Sequence, residues 1–123
     1  MKQEQDGNRA SDELIAITKA YDLAREVTHR VLKYPRSHRF VLGDRTLAAA
    51  YDVLELLITA KYTREKVEHL DGANLVLERM RFQVRLAHDE RILATGQYET
   101  LARLIDGVGR LVGGWRKSRR KNP

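Results

Sequence analysis

Arginines at helical spacing are the residues of this sequence best suited to chemistry, and that chemistry is phosphate binding. Arg81 and Arg85 lie one helical turn apart and can contact two successive phosphates of a nucleic acid. The same spacing allows internal pairs of Glu78 with Arg81 and of Arg85 with Asp89, which spacing alone slightly favours. The candidate residues for binding nucleic acid or a protein partner are Arg81, Arg85, Arg79, Arg91, Arg116, Lys117, Arg119 and Arg120.

Three basic segments support binding to a polyanion. They are 36–39, 79–91 and 116–121, in a chain of 123 residues with a formal net charge of +6. None of the segments carries aromatic residues spaced for stacking on bases. We therefore expect binding that is dominated by phosphate contacts and only weakly selective for sequence.

Catalytic constellations are scarce. The chain has no cysteine, and its four histidines lack the one-turn spacing of a metal-binding pair with a glutamate. The glycines of the last helical stretch do not precede a helix as a phosphate-binding loop would. We predict no catalytic residue, no metal site and no cofactor.

The catalytic alternative rests on Arg64 and His69. With four residues between them, they fit the Arg-x4-His signature of a family of all-helical ribonucleases. In that chemistry the arginine stabilises charge on the phosphate and the histidine transfers the proton. Because only two positions of the signature are fixed, it matches by chance in arginine-rich helices, and this remains the alternative hypothesis.

The composition predicts an all-α fold that positions these residues. Ala, Leu, Arg and Glu are abundant and there are two prolines. Periodicity and end signals predict four helices, with caps at Ser11, Asp44 and Thr63, over 11–32, 44–62, 64–91 and 97–121. Short loops between them imply an antiparallel up-down-up-down four-helix bundle. The predicted parts are a flexible leader at 1–10, a bundle at 11–115 and a basic C-terminal tail at 116–123.

The fourth helix carries the clearest apolar stripe, formed by Tyr98, Leu101, Leu104, Ile105, Val108, Leu111, Val112 and Trp115. Four glycines interrupt it, each costing about 1 kcal/mol against alanine in a helix. Close approach of another backbone, or a loosened helix end at 113–114, would explain them. In the connector before the second helix, Phe40 and Val41 are the expected anchors.

The second helix is apolar on two faces. One face consists of Leu47, Ala50, Tyr51, Leu54, Leu57 and Ile58, and the other of Ala49, Val53, Leu56 and Ala60. Since a small four-helix bundle cannot cover both faces of one helix, we expect one face to form a subunit interface, with Val53 and Leu56 as residues to test. With no signal peptide and no apolar run long enough to span a bilayer, the protein is expected to be soluble and cytoplasmic, without membrane contact.

Several segments resemble one known family, the accessory variability determinant proteins of diversity-generating retroelements. The segments are 34–40, 42–43, 80–82, 85–86 and 108–115, of which the Gly-Arg-Leu-Val-Gly-Gly-Trp run ending at Trp115 is the most specific. The family belongs to a larger group of four-helix bundles that includes the intervening-sequence proteins of large-subunit ribosomal RNA. The similarity covers roughly residues 21–121.

The resemblance implies a non-catalytic homopentamer, a ring of four-helix bundles with a basic surface. It implies binding to the element's reverse transcriptase and to template RNA, with DNA as a further candidate, in support of mutagenic cDNA synthesis. Arg81 and Arg85 take the positions of the arginines that the family uses for these contacts. Relatives outside retroelements share the fold, so an orphan RNA-binding or structural bundle remains a further alternative.

Overall fold

The computed structural model contains four long helices and one short one. It describes the backbone of residues 2–120 and the side chains of residues 12–119. The elements are α1 (Lys2–Val31), α2 (Arg36–His38), a π-helical turn (Arg39–Gly43), α3 (Asp44–Tyr62), α4 (Lys66–Asp89) and α5 (Thr95–Arg120). Each long helix packs against the next one, and α5 closes on α1. The predicted all-α four-helix bundle is confirmed, and no strand occurs within residues 2–120.

The core lies where the apolar stripes of the four helices meet. In α5, Leu101, Ile105, Val108, Val112 and Trp115 are buried, as their spacing predicts. The matching stripe of α4 contributes Leu70, Leu77, Met80, Val84 and Ala87. Burial of these side chains, rather than helix propensity, is the main stabilisation of helices of this kind.

Two of the long helices begin before their predicted starts, α1 at Lys2 and α5 at Thr95. α1 begins at Lys2, so Ser11 lies inside the helix and is not its N-cap. Glutamine and glutamate near the start have good helix propensity, and one glycine costs only about 1 kcal/mol. α5 continues through Gly113 and Gly114 to Arg120, so the helix does not loosen there and residues 116–120 are helical. Residues 121–123 of the predicted tail lie outside the described part of the chain.

Neither remaining cap prediction is correct. The π-helical turn runs directly into α3, and the backbone N–H of Asp44 donates to the Arg39 carbonyl, so Asp44 needs no capping role. Thr63 ends α3 in an extended conformation, and α4 begins only at Lys66. The ammonium of Lys66 instead caps α3, donating to the carbonyls of Ala60 at 2.7 Å and Lys61 at 2.8 Å.

The connector between α1 and α3 is anchored by residues other than those predicted. Phe40 and Val41 are exposed, whereas Tyr34 and Gly43 are buried. A Cβ atom at Gly43 would lie 2.9 Å from a Val31 methyl group, so the turn approaches α1 too closely for any side chain. Burial raises the pKa of the Tyr34 hydroxyl to about 12. Within the described residues, no helix has the length and apolarity that crossing a membrane requires.

Candidate nucleic-acid interface

Arg81 joins α4 to α5. Its Nη1 donates to Glu78 of the same helix at 2.9 Å, and its Nε donates to Asp106 of α5 at 3.0 Å. The predicted pair with Glu78 is therefore confirmed, and a second carboxylate is added that spacing along one helix could not show. Both hydrogen bonds hold the guanidinium in one orientation against α5.

Gly109 makes room for this arrangement. A Cβ atom at that position would lie 2.8 Å from Nη2 of Arg81. The close approach that the helix glycines suggested exists at this position, but the approaching group is an arginine side chain rather than a backbone. At Gly107, Gly113 and Gly114 an added Cβ would meet nothing within 4 Å.

Arg85 projects one turn beyond Arg81 and is exposed. Its Nε lies 3.8 Å from Asp89, which confirms the second predicted internal pair. The next residue on this face, His88, stacks on Tyr98 of α5 with ring centroids 4.6 Å apart and lies 3.2 Å from the Thr95 hydroxyl. A role of Arg81 and Arg85 in binding nucleic acid stays a prediction.

The C-terminal arginines are held by carboxylates of other helices. Arg116 forms a bidentate ion pair with Asp71 of α4. The hydrogen bonds to this carboxylate raise the pKa of the Arg116 guanidinium. Arg119 donates to Glu13 of α1 at 2.8 Å. Lys117 points to solvent, and the side chain of Arg120 lies outside the described residues.

The three basic segments lie at different places on the bundle. The contacts of Arg116 and Arg119 put the end of α5 beside the first turns of α4 and beside Glu13, in the first half of α1. The 36–39 connector follows the opposite end of α1. Arg91 is exposed after α4 with a left-handed φ of 62°, and Arg79 is exposed on the outer side of α4.

A second set of cations follows the outer side of α5, which we term the α5 cationic stripe: Arg103, Arg110 and Lys117. Successive members are seven residues apart, or about 10 Å along the helix. All three are exposed, and none forms an ion pair with any side chain in the described range 12–119. Lys19 of α1 lines the same groove as Arg103 and Arg110. Our site prediction omitted Arg103 and Arg110, although their spacing of seven was visible in the sequence.

The residues of the ribonuclease hypothesis do not share a helix. Arg64 is exposed in the loop between α3 and α4, whereas His69 is half-buried in α4. The predicted third helix, 64–91, contained both residues, whereas α4 begins only at Lys66. Among the side chains of residues 12–119, no group of three histidines or carboxylates is placed to hold a metal ion.

Comparison with known proteins identifies the family. The model of the bAvd-like family, where Avd denotes accessory variability determinant, matches residues 14–119, from within α1 to the end of α5. The chain belongs to the bAvd-like family. No curated protein matches this bAvd-like chain. It is similar to a protein of unknown function in the S23 ribosomal protein family from Bacteroides thetaiotaomicron, with 14% identity and a TM-score of 0.78. That alignment covers 86% of this chain and 98% of the other, and shows the shared fold.

The bAvd-like chain also carries an exposed apolar surface over α1 and α3. In α3, Leu56 packs over Gly72 of α4, so the opposite side of α3 faces away from α4. The exposed apolar residues of that side are Tyr51, Ile58 and Tyr62, and together with the exposed Leu14 and Tyr21 of α1 we term them the apolar face. Val53 and Leu56, which we predicted as interface residues, lie in and beside the core instead.

Proposed function

We propose that this bAvd-like protein is a non-catalytic nucleic-acid-binding subunit of a retroelement reverse transcriptase. It would support mutagenic cDNA synthesis by holding template RNA, with DNA as a further candidate ligand, beside the polymerase. The match of the bAvd-like family model to residues 14–119 carries the proposal. The net charge of +6 agrees with it.

The α5 cationic stripe supplies the first phosphate contacts in this proposal. Arg103, Arg110 and Lys117 are exposed and have no carboxylate partner in the described structure, so a phosphate need not displace an existing ion pair. By contrast, a carboxylate is already bound in the unliganded protein to each of Arg81, Arg116 and Arg119.

Self-association through the apolar face is the second part of the proposal. Three exposed tyrosines with leucine and isoleucine form a surface of the kind that marks protein contacts. A ring-like homo-oligomer, a pentamer by the family resemblance, would repeat the stripe in each subunit. Reverse transcriptase would then meet several nucleic-acid-binding surfaces on one assembly.

A salt titration of binding to labelled single-stranded RNA tests the stripe. Removing the partner of one phosphate lowers the slope of log K against log salt by about 0.7 for a single strand. We expect Arg103→Ala with Arg110→Ala to lower the slope by that amount for each arginine that binds a phosphate. The matched control is Arg116→Ala with Arg119→Ala, which removes the same two charges from the same helix but from residues bound to Asp71 and Glu13.

Two results would contradict the proposal. The absence of RNA binding at low salt would overturn the nucleic-acid function itself. Equal slopes for the stripe variant and the control would show that the α5 cationic stripe is not the binding surface.

Reverse transcription of the template RNA by purified polymerase, with and without the protein, tests the accessory role. We expect cDNA yield or mutation frequency to fall when the protein is omitted.

A further inference from the structure

A cleft between α4 and α5 has a composition that neither the phosphate contacts nor the core explains. Its volume is about 210 Å³. Six side chains that reach it carry its chemistry: Glu78, Arg81, Phe82, Arg85, Tyr98 and Asp106. These residues come from two helices. Because Arg81 and Asp106 are far apart in the sequence, their contact could not be predicted from spacing along one helix.

The charges of the cleft balance. Two guanidinium groups stand against two carboxylates, and Arg81 is bound to both carboxylates at 2.9 and 3.0 Å. A phosphate placed between Glu78 and Asp106 would be repelled by both. A neutral group with its own donors and acceptors meets no such repulsion, so the cleft suits a neutral polar ligand better than an anion.

The cleft also exposes aromatic surface. Phe82 is 61% exposed although it is one of only two phenylalanines in the chain. Tyr98 is half-buried, and its stacking on His88 at an interplanar angle of 16° fixes its ring. Exposed aromatic rings beside arginines are the means by which proteins stack single, unpaired bases.

The carboxylates are positioned to read the edge of such a base. Glu78 uses Oε2 and Asp106 uses Oδ1 to accept from Arg81. Their other oxygens, Oε1 and Oδ2, accept no hydrogen bond from the described side chains or backbone, and both carboxylates are more than half exposed. Arg81 is thus a positioning residue that holds two acceptors toward the cleft, with Gly109 giving it room.

We propose that this cleft binds one unpaired base of a single-stranded nucleic acid and prefers guanine. Guanine offers two adjacent donors, N1–H and the N2 amino group, and the two remaining oxygens, Oε1 of Glu78 and Oδ2 of Asp106, provide one acceptor for each. In this proposal the guanine ring stacks against Phe82 or Tyr98. Arg85, whose side chain is 65% exposed, contacts the phosphate next to that base. The protein would therefore have a base preference, in contrast to the weak selectivity that the sequence predicted.

This inference rests on the proposed nucleic-acid function. Asp106 lies three residues after Arg103 and four before Arg110. A strand whose phosphates follow the α5 cationic stripe consequently passes the mouth of the cleft. One base turned toward α4 would enter it.

The test uses fluorescence anisotropy with labelled nine-nucleotide RNAs that are uridine at every position except the centre. The central base is guanine, hypoxanthine, adenine, cytosine or uracil. We expect guanine to bind tightest, and hypoxanthine, which lacks only the N2 amino group, to bind roughly tenfold more weakly, in the usual range for removal of a base-edge hydrogen bond. Asp106→Asn or Glu78→Gln should reduce this difference, and Phe82→Ala should weaken all five RNAs.

Matched controls come from the same helices. Glu99→Gln neutralises an exposed carboxylate of α5 that does not line the cleft, and Leu75→Ala truncates an exposed apolar residue of α4 outside it. Both should leave the base preference unchanged, and circular dichroism should show native helix content for every variant.

The outcomes separate the two proposals. If all five RNAs bind with equal affinity and the cleft variants behave like the controls, base recognition is wrong while nucleic-acid binding stands. That result would also be obtained if the cleft held a protein segment instead. If no RNA binds, the proposed function fails, and the cleft proposal fails with it.

Discussion

The apolar face gives the sharpest test of self-association, because two apolar sides of α3 have different fates in the structure. Tyr51 is 46% exposed and Ile58 is 41% exposed, whereas Val53 is fully buried. With roughly 200 Å² for a tyrosine side chain, Tyr51 leaves about 90 Å² to bury, worth about 2 kcal/mol for each interface. We therefore expect Tyr51→Glu to weaken each contact roughly thirtyfold or more, since the carboxylate also resists desolvation.

Light scattering coupled to gel filtration measures the result at micromolar concentration. Wild-type protein should be oligomeric, and Tyr51→Glu and Ile58→Glu should each give smaller species with native helix content and cooperative unfolding. Val53→Glu is the contrasting variant: it places a charge in the core, and we expect it to unfold the chain rather than release folded subunits.

Two outcomes would refute this reasoning. A monomeric wild-type protein would show that the apolar face does not bind a second copy of the chain. An oligomer that keeps its mass in both surface variants would place the interface elsewhere on the bundle.

Further predictions concern stability. Gly107→Ala should raise the melting temperature by roughly 4 °C, because an added methyl group meets nothing and helix propensity improves by about 1 kcal/mol. Gly109→Ala should gain less, since it displaces a guanidinium, and equal gains would contradict the close packing. Tyr34 stays neutral in the folded chain to about pH 12 but ionises near pH 10 when unfolded. The free energy of unfolding should therefore fall by about 3 kcal/mol as pH rises from 10 to 12, and Tyr34→Phe should lack this component in urea titrations. Glu13→Gln should lower the free energy of unfolding by about 2 kcal/mol in the same assay, because it weakens the hydrogen bond from Arg119. An unchanged urea midpoint would show that this pair does not stabilise the fold.

Periodicity predicted the bundle because each helix buries a stripe of its own. The α5 stripe ending at Trp115 and the α4 stripe around Leu77 required no information about neighbouring helices. Helix ends were less predictable, since cap signals compete with context. Asp44 has a capping side chain, but the π-helical turn already supplies its backbone partner.

The candidate site was harder to predict because its contacts join distant parts of the chain. Spacing along one helix predicted the pairs of Arg81 with Glu78 and of Arg85 with Asp89, and both were confirmed. Spacing could not show that Asp106 binds the same guanidinium from another helix. It also could not show that Arg116 ends on Asp71, forty-five positions away. A cation's availability depends on these long-range carboxylates, which sequence charge counts do not locate.

The two faces of α3 show the same limit in apolar residues. The pattern predicted that one of the two faces would remain uncovered, but the structure buries part of each: Ala50 and Leu57 are fully buried in the first face, and Val53 and Ala60 in the second, while Tyr51 and Ile58 are exposed. It did not indicate which residues of either face would stay exposed, because both faces are apolar and the pattern of one helix does not show where the neighbouring helices pack. Leu56 packs over Gly72 of α4 at ordinary van der Waals distance, which places the exposed residues on the side of α3 that faces away from α4. The apolar residues of a helix that are left to meet a partner are thus determined by where its neighbouring helices pack, which the spacing within one helix does not contain.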